Sequence, residues 1–309
     1  MDIDTPAQQR LRDELLAWDA ERPAVDPGLA SRLRAALEQG VAEVLDEHDV
    51  GDERLWVSKS ALDRLACDGW WVDRRETGFT PSSAMVAGVL AHRAIELDQG
   101  SGRRHGPDVL VRRAWDELAT DAGAMADHAN GLDALDADML RDDVLQLLTD
   151  HRDTWPLLPV AAHVRTEQQV RVRLAAGRVV LLGAPDMTIG SVRDDRARML
   201  LVDLKTGMRR EQQERQDLRF YALLLTLKYG QPPFRWASYY VAEGGWDAED
   251  LDEQLLWTAV RRTVDGVRQA ARLLTGGDLH LRPGGYCRFC SRRDDCPAYL
   301  SQGPATVEA

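Results

Sequence analysis

Lysine is nearly absent from this chain: Lys59, Lys205 and Lys228 stand against thirty-six arginines in 309 residues. A lysine here is therefore not background composition. Long apolar runs are also missing, which excludes a bilayer-spanning helix. The N-terminus, Met1-Asp-Ile-Asp-Thr-Pro6, has no basic segment followed by an apolar one, so no secretory signal is read and a cytoplasmic location is expected. With only four cysteines in such a chain, a disulfide framework is not expected. The net charge of −12 argues against a broad nucleic-acid-coating surface. Any such contact must be local, through pairs such as Arg103-Arg104, Arg112-Arg113, Arg209-Arg210 and Arg292-Arg293, although most such pairs are solvated helix faces. No Gly-x₄-Gly-Lys-Ser/Thr loop is present, so no fused nucleotide-driven motor is read.

The polar residues that carry chemistry concentrate between Gly183 and Lys205. Two apolar runs, Val179–Leu182 and Met199–Leu204, are separated by Gly190 and the charged turn Arg193–Arg198. They predict buried strands joined by a hairpin. Strand alternation puts Asp203 and Lys205 on one face and Leu204 on the other, and Asp186 leaves the first strand at the same edge. Singly, each reads as a solvated strand-end charge or a turn cap. Together, two carboxylates and an ammonium at the lip of a buried sheet are costly without a counter-charge. A hard divalent cation supplies one, since Mg²⁺ is commonly held by one or two carboxylates plus phosphate oxygens. Lysine suits the spot better than arginine, being a compact charge that can steer a water.

Pro185-Asp186, a strand-length gap and Asp203-Leu204-Lys205 resemble the PD-(D/E)xK nuclease superfamily. A helix predicted over 82–98 carries Gly88, His92 and Glu96 at four-residue spacing and resembles the helix that opens RecB-family nuclease domains. Gln216-Asp-Leu-Arg-Phe-Tyr221 resembles the family's Gln-Leu-x-x-Tyr helix, with one departure. Aligned on Tyr221, Asp217 stands where the family has glutamine, and Gln216 lies one residue early, about 100° away on the helix. The resemblance implies that His92, Asp186, Asp203 and the backbone carbonyl of Leu204 hold Mg²⁺ or Mn²⁺. Lys205 would orient the attacking water, with Tyr221 and Gln216 completing the catalytic set. Glu167, at the start of a strand, carries no comparable signal.

The rest of the chain fits an α/β, restriction-endonuclease-like core: a central mixed β-sheet flanked by helices, with N-terminal and inserted helical additions. Helical spacing over 6–20 and 27–47 predicts an N-terminal helical hairpin (1–50) ahead of a nuclease domain (51–309), with a helical insertion at about 103–158. Val164–Ala175 alternates and is expected to pair across Ala176-Gly177 with Arg178–Ala184. The Pro-Asp and Asp-x-Lys strands would extend that sheet. A helix over Glu211–Tyr229, a strand over Phe234–Ala242 and a helix over Ala248–Leu274 follow.

The cysteines are Cys67 and then Cys287, Cys290 and Cys296. A Cys₄ zinc site more often shows two close pairs. The one-plus-three arrangement resembles the iron–sulfur nucleases, among them AddB-type nucleases and CRISPR-associated RecB-like exonucleases. It implies a structural [4Fe–4S] cluster, with Zn²⁺ as the alternative. The resemblance spans about Ser58 to Tyr299. It implies a metal-dependent DNA nuclease, an exonuclease acting on single strands or ends in repair, recombination or defence, with a helicase or other subunit in trans and no membrane partner. The alternative is a catalytically weak or inactive DNA-end-binding subunit of a larger complex.

Overall fold

The computed structural model describes residues 4–302 apart from Met208 and Arg210. Helix α1 (Pro6–Arg10) runs into a wider-wound turn at Leu11–Leu16, and α2 (Leu29–Glu47) follows. Strand β1 (Leu55–Val57), α3 (Lys59–Arg64) and α4 (Asp68–Thr77) lead to α5 (Ser83–Ser101). Three helices follow: α6 (Pro107–Thr120), α7 (Ala124–Asn130) and α8 (Ala134–Thr154). Five short strands come next: β2 (Arg165–Thr166), β3 (Val170–Leu174), β4 (Val179–Gly183), β5 (Met187–Ile189) and β6 (Leu200–Lys205). The chain closes with α9 (Glu211–Tyr229), β7 (Arg235–Tyr240), β8 (Gly245–Asp250), α10 (Glu253–Leu274) and α11 (Pro297–Gln302).

The strands form two mixed sheets flanked by helices, ordered β1-β4-β3 and β2-β5-β6-β7-β8. Strand β6 sits inside the larger sheet and sorts its side chains by alternation. Met199 and Leu201 enter a core with α2, α9 and α10, while Leu200, Val202 and Leu204 enter a second core with α5, α6 and α8. The N-terminal helices divide the same way: Leu33, Leu37 and Val41 of α2 join the first core, whereas Leu11, Leu15 and Leu16 join the second.

Three sequence expectations need correction. The Val179–Leu182 run does not form a hairpin with Met199–Leu204: β4 pairs with β1 and β3, and the antiparallel partner of β6 is the three-residue β5. Pro185 has no N–H for a ladder, and there the chain leaves one sheet for the other. Likewise, the strand expected over 164–175 is two strands in different sheets, β2 against β5 and β3 against β4. The break falls at Glu167, whose φ is 47°, a left-handed conformation that no strand continues through. The helix expected from Ala248 begins at Glu253, capped by Asp252, because Gly245–Asp250 pairs with β7 instead.

Candidate active site

Both seams between the sheets deliver a carboxylate to one place. Glu167 leaves β2 and Asp186 precedes β5, and the Glu167 N–H donates to the Asp186 carbonyl at 3.1 Å. Helix α5 lies beside them. Gly88 lets its backbone approach the end of β6, since a Cβ there would lie 3.3 Å from Thr206 Oγ1. One turn further on, His92 Nδ1 is 3.5 Å from Asp186 Oδ1 and 3.8 Å from Glu167 Oε1. Ligand atoms of these three side chains lie within 4.8 Å of one another, the one such grouping among the described residues. Glu96, on the same face of α5 as His92, instead accepts from Thr166 Oγ1 at 3.2 Å and pairs with Arg93. It thus steadies the strand residue next to Glu167.

Two carboxylates so close repel unless a cation sits among them. Burial alone would depress His92, but the charge and hydrogen bond of Asp186, with Glu167 and Asp203, raise it to about 10. The imidazolium is thus the counter-ion in the metal-free protein. A hard-donor set of two carboxylates and one imidazole fits a divalent cation that takes the place of that proton.

Asp186 is fixed by its other oxygen, which accepts from the Leu204 N–H at 2.6 Å. One residue earlier Asp203, 2% exposed, is clamped by Lys59 Nζ at 3.2 Å and Lys205 Nζ at 2.5 Å. Burial would raise the Asp203 carboxyl, but the two ammonium groups outweigh it and hold the pKa down. Lys59 shows the reverse balance: burial lowers it, and the charges of Asp203, Tyr221 and Asp186 more than restore it upward. Two of the chain's three lysines therefore meet on one carboxylate. Sequence reasoning recognised Lys205 and passed over Lys59, although its rarity was the available signal.

The Tyr221 ring closes the far side, with Lys59 Nζ 5.0 Å from its centroid. A Cβ on Gly183 would lie 2.5 Å from Tyr221 Cε1, so only glycine admits the ring against β4. Gln216 is half-buried, with no side-chain hydrogen bond to a described residue. Its neighbour Asp217 points inward. It is buried, and Arg262 Nη1 stands 3.8 Å from its Oδ1. Burial first, and then the charge of Asp63, push Asp217 up to about 7 despite Lys59, Lys205 and Arg262. The folded state therefore binds this proton more tightly than the unfolded chain does. Its stabilising effect is complete below about pH 4 and is lost as the pH rises through about 7. Asp217→Asn should raise the urea midpoint at pH 8 and leave it nearly unchanged at pH 4.5. An equal shift at both values would show that the carboxylate is not the cause.

The four cysteines lie elsewhere, around a cavity that none of these site residues lines. Cys67 caps the N-terminus of α4, and Cys287, Cys290 and Cys296 lie in the turns before α11. All four line one cavity of about 260 Å³, next to Trp70 stacked on Tyr286 at 4.8 Å. Backbone N–H groups of Arg282 and Gly284 donate to Cys67 Sγ at 3.5 Å and Cys287 Sγ at 3.4 Å.

The family model described as PD-(D/E)XK nuclease superfamily matches residues 57–297. No curated protein is matched. Among solved structures, one titled "Crystal structure of SSO0001" is similar over 86% of this chain and 95% of its own, at 16% identity and a TM-score of 0.35.

Proposed function

The chain belongs to the PD-(D/E)XK nuclease superfamily, and from that membership we propose that it hydrolyses phosphodiester bonds in DNA with a divalent cation, Mg²⁺ or Mn²⁺. The observation that carries the reading is the convergence of His92, Glu167 and Asp186 at the end of β6, beside Asp203 and Lys205. His92 and Asp186, with Asp203 and the carbonyl of Leu204, would hold the cation. Glu167 joins this set as a donor that sequence reasoning left out. A bound cation supplies Lewis-acid stabilisation of the charge that develops on phosphoryl and leaving oxygens. Lys205, four-fifths buried and tied to Asp203, orients the attacking water. Lys59 fixes that carboxylate, with the Tyr221 ring against its ammonium, and Gln216 remains a candidate on the Tyr221 helix.

Linear end-labelled DNA should be degraded with Mg²⁺ or Mn²⁺ and covalently closed circular DNA spared, as an exonuclease requires. Absence of cleavage with either ion, or undiminished cleavage in EDTA, overturns the reading. One observation favours a second reading, a DNA-end-binding subunit. Asp203 already has two ammonium partners, so a cation must compete for it. A calorimetric titration without Mn²⁺ binding but with intact DNA affinity would select that alternative. Either role suits a repair, recombination or defence assembly with a helicase or other subunit in trans.

For the cysteine set we propose a structural [4Fe–4S] cluster, with Zn²⁺ as the alternative. All four thiols line one cavity. Thiolates suit either centre, and the backbone N–H groups that donate to Cys67 and Cys287 would temper the charge on the sulfurs of a bound group.

A further inference from the structure

A cleft of about 580 Å³ opens where Ile189 of β5 faces Leu200 of β6. That is the opposite end of the hairpin from Asp203, three residues or about 10 Å along the strand. Its walls come from distant parts of the chain: the segment between α1 and α2, the loop before β2, and the turn joining β5 to β6. The N-terminal segment is laced over that turn by an antiparallel bridge between Ala24 and Arg196. The Val25 N–H donates to the Asp195 carbonyl at 2.8 Å, and the Ala197 N–H to the Pro23 carbonyl at 2.9 Å.

The cleft is basic in a protein whose net charge is −12. Two of its arginines are neutralised: Arg196 pairs with Glu21 at 3.0 Å and Arg198 with Asp194 at 2.6 Å. The other two have no carboxylate partner among the described residues. Arg22 donates to the Leu16 carbonyl at 3.0 Å and lies 3.8 Å over the Phe234 ring. Arg193 donates to Ser191 Oγ at 3.2 Å and to His163 Nε2 at 3.1 Å. Burial, and then the like charges of Arg235 and Arg198, hold the Arg22 guanidinium below its ordinary range, which an anion would reverse. Trp18 also lines the cleft, 42% exposed, with Arg12 covering its ring at 5.3 Å.

We propose that this cleft binds a nucleoside phosphate, its phosphate held by Arg22 and Arg193 and its base laid against Trp18. Unpaired guanidinium groups provide forked donors that match phosphate oxygens. An exposed indole is a stacking platform for any base, and the volume falls within the range of about 300–1,000 Å³ usual for small-ligand sites. The same chemistry is offered by a free nucleotide and by the 5′-phosphorylated end of a DNA strand.

Calorimetry on the full chain in EDTA tests this with AMP, pyrophosphate and a 5′-phosphorylated trinucleotide as probes, independently of catalysis. AMP should bind, Arg193→Gln should weaken it about tenfold, and Trp18→Ala should reduce its affinity to that of pyrophosphate. Arg193 is exposed, so that variant should fold, as circular dichroism would verify. Tighter binding of the trinucleotide than of AMP assigns the strand end, and the reverse order assigns the free nucleotide. Lys205→Ala should leave AMP binding intact. Loss of binding in Lys205→Ala would place the ligand at the other end of β6 and overturn the proposal. Wild-type affinity in a folded Arg193→Gln protein, or no binding by any of the three probes, also overturns it.

Discussion

Lys205→Ala should lower DNA cleavage at saturating Mn²⁺ by at least about a thousandfold, within the range ascribed to a positioned proton-handling or charge-stabilising group. The melting temperature should move by only a few degrees. The fold survives because Lys59 still neutralises Asp203 from 3.2 Å, so no buried carboxylate is stranded. Asp203→Ala makes the opposite comparison. It leaves two partly exposed ammonium groups facing one another, and should cost stability, by about 2 kcal/mol after allowing for their contact with solvent, as well as activity. The pair of variants separates a role in the reaction from a role in holding the site together. Cleavage by Lys205→Ala at the parent rate would remove Lys205 from the reaction.

Cys67→Ala should be more damaging to the protein itself. Cys67 and Cys296 line one cavity although they lie more than two hundred residues apart. A metal centre joining them closes a loop that, by the relation used for cross-links, removes about 5 kcal/mol of unfolded-state entropy. The binding free energy of the proposed cluster would add to this. Anaerobically purified parent protein should be brown, with broad absorbance near ~400 nm from thiolate-ligated iron–sulfur centres. The variant should lose colour and solubility together, and cleavage with them. No cysteine lies near Asp186 or Asp203 in sequence. A colourless, zinc-loaded parent protein of full stability and activity would put zinc in place of iron as the ion that closes the loop.

Much of this could be read from the chain because period-two alternation is a strong local signal. Val170, Val172 and Leu174 alternate and pair with Val179–Gly183 in the expected hairpin. Alternation likewise put Asp203 and Lys205 on the same side of β6 as each other, where they form an ion pair, and Leu204 in the opposite core. What alternation hides is a change of sheet. The pattern runs through Glu167 without a glycine, asparagine or aspartate to announce its left-handed φ of 47°, so its arrival beside His92 could not be read locally. Tertiary pairing likewise overrode the helical look of Ala248–Asp250 in favour of β8. Lys59 is different: it is a non-local contact at a position whose composition already marked it as unusual.

The two sheets join through brief connectors, at residues 167–169 and 184–186, and each connector contributes a carboxylate to the same point. Neither connector belongs to a ladder. An insertion or deletion of one residue in either would leave strand registers intact and displace Glu167 or Asp186. Lineages carrying such changes would keep a folded, recognisable protein while losing hydrolysis, so connector length is a more sensitive mark of an inert descendant than identity across the core.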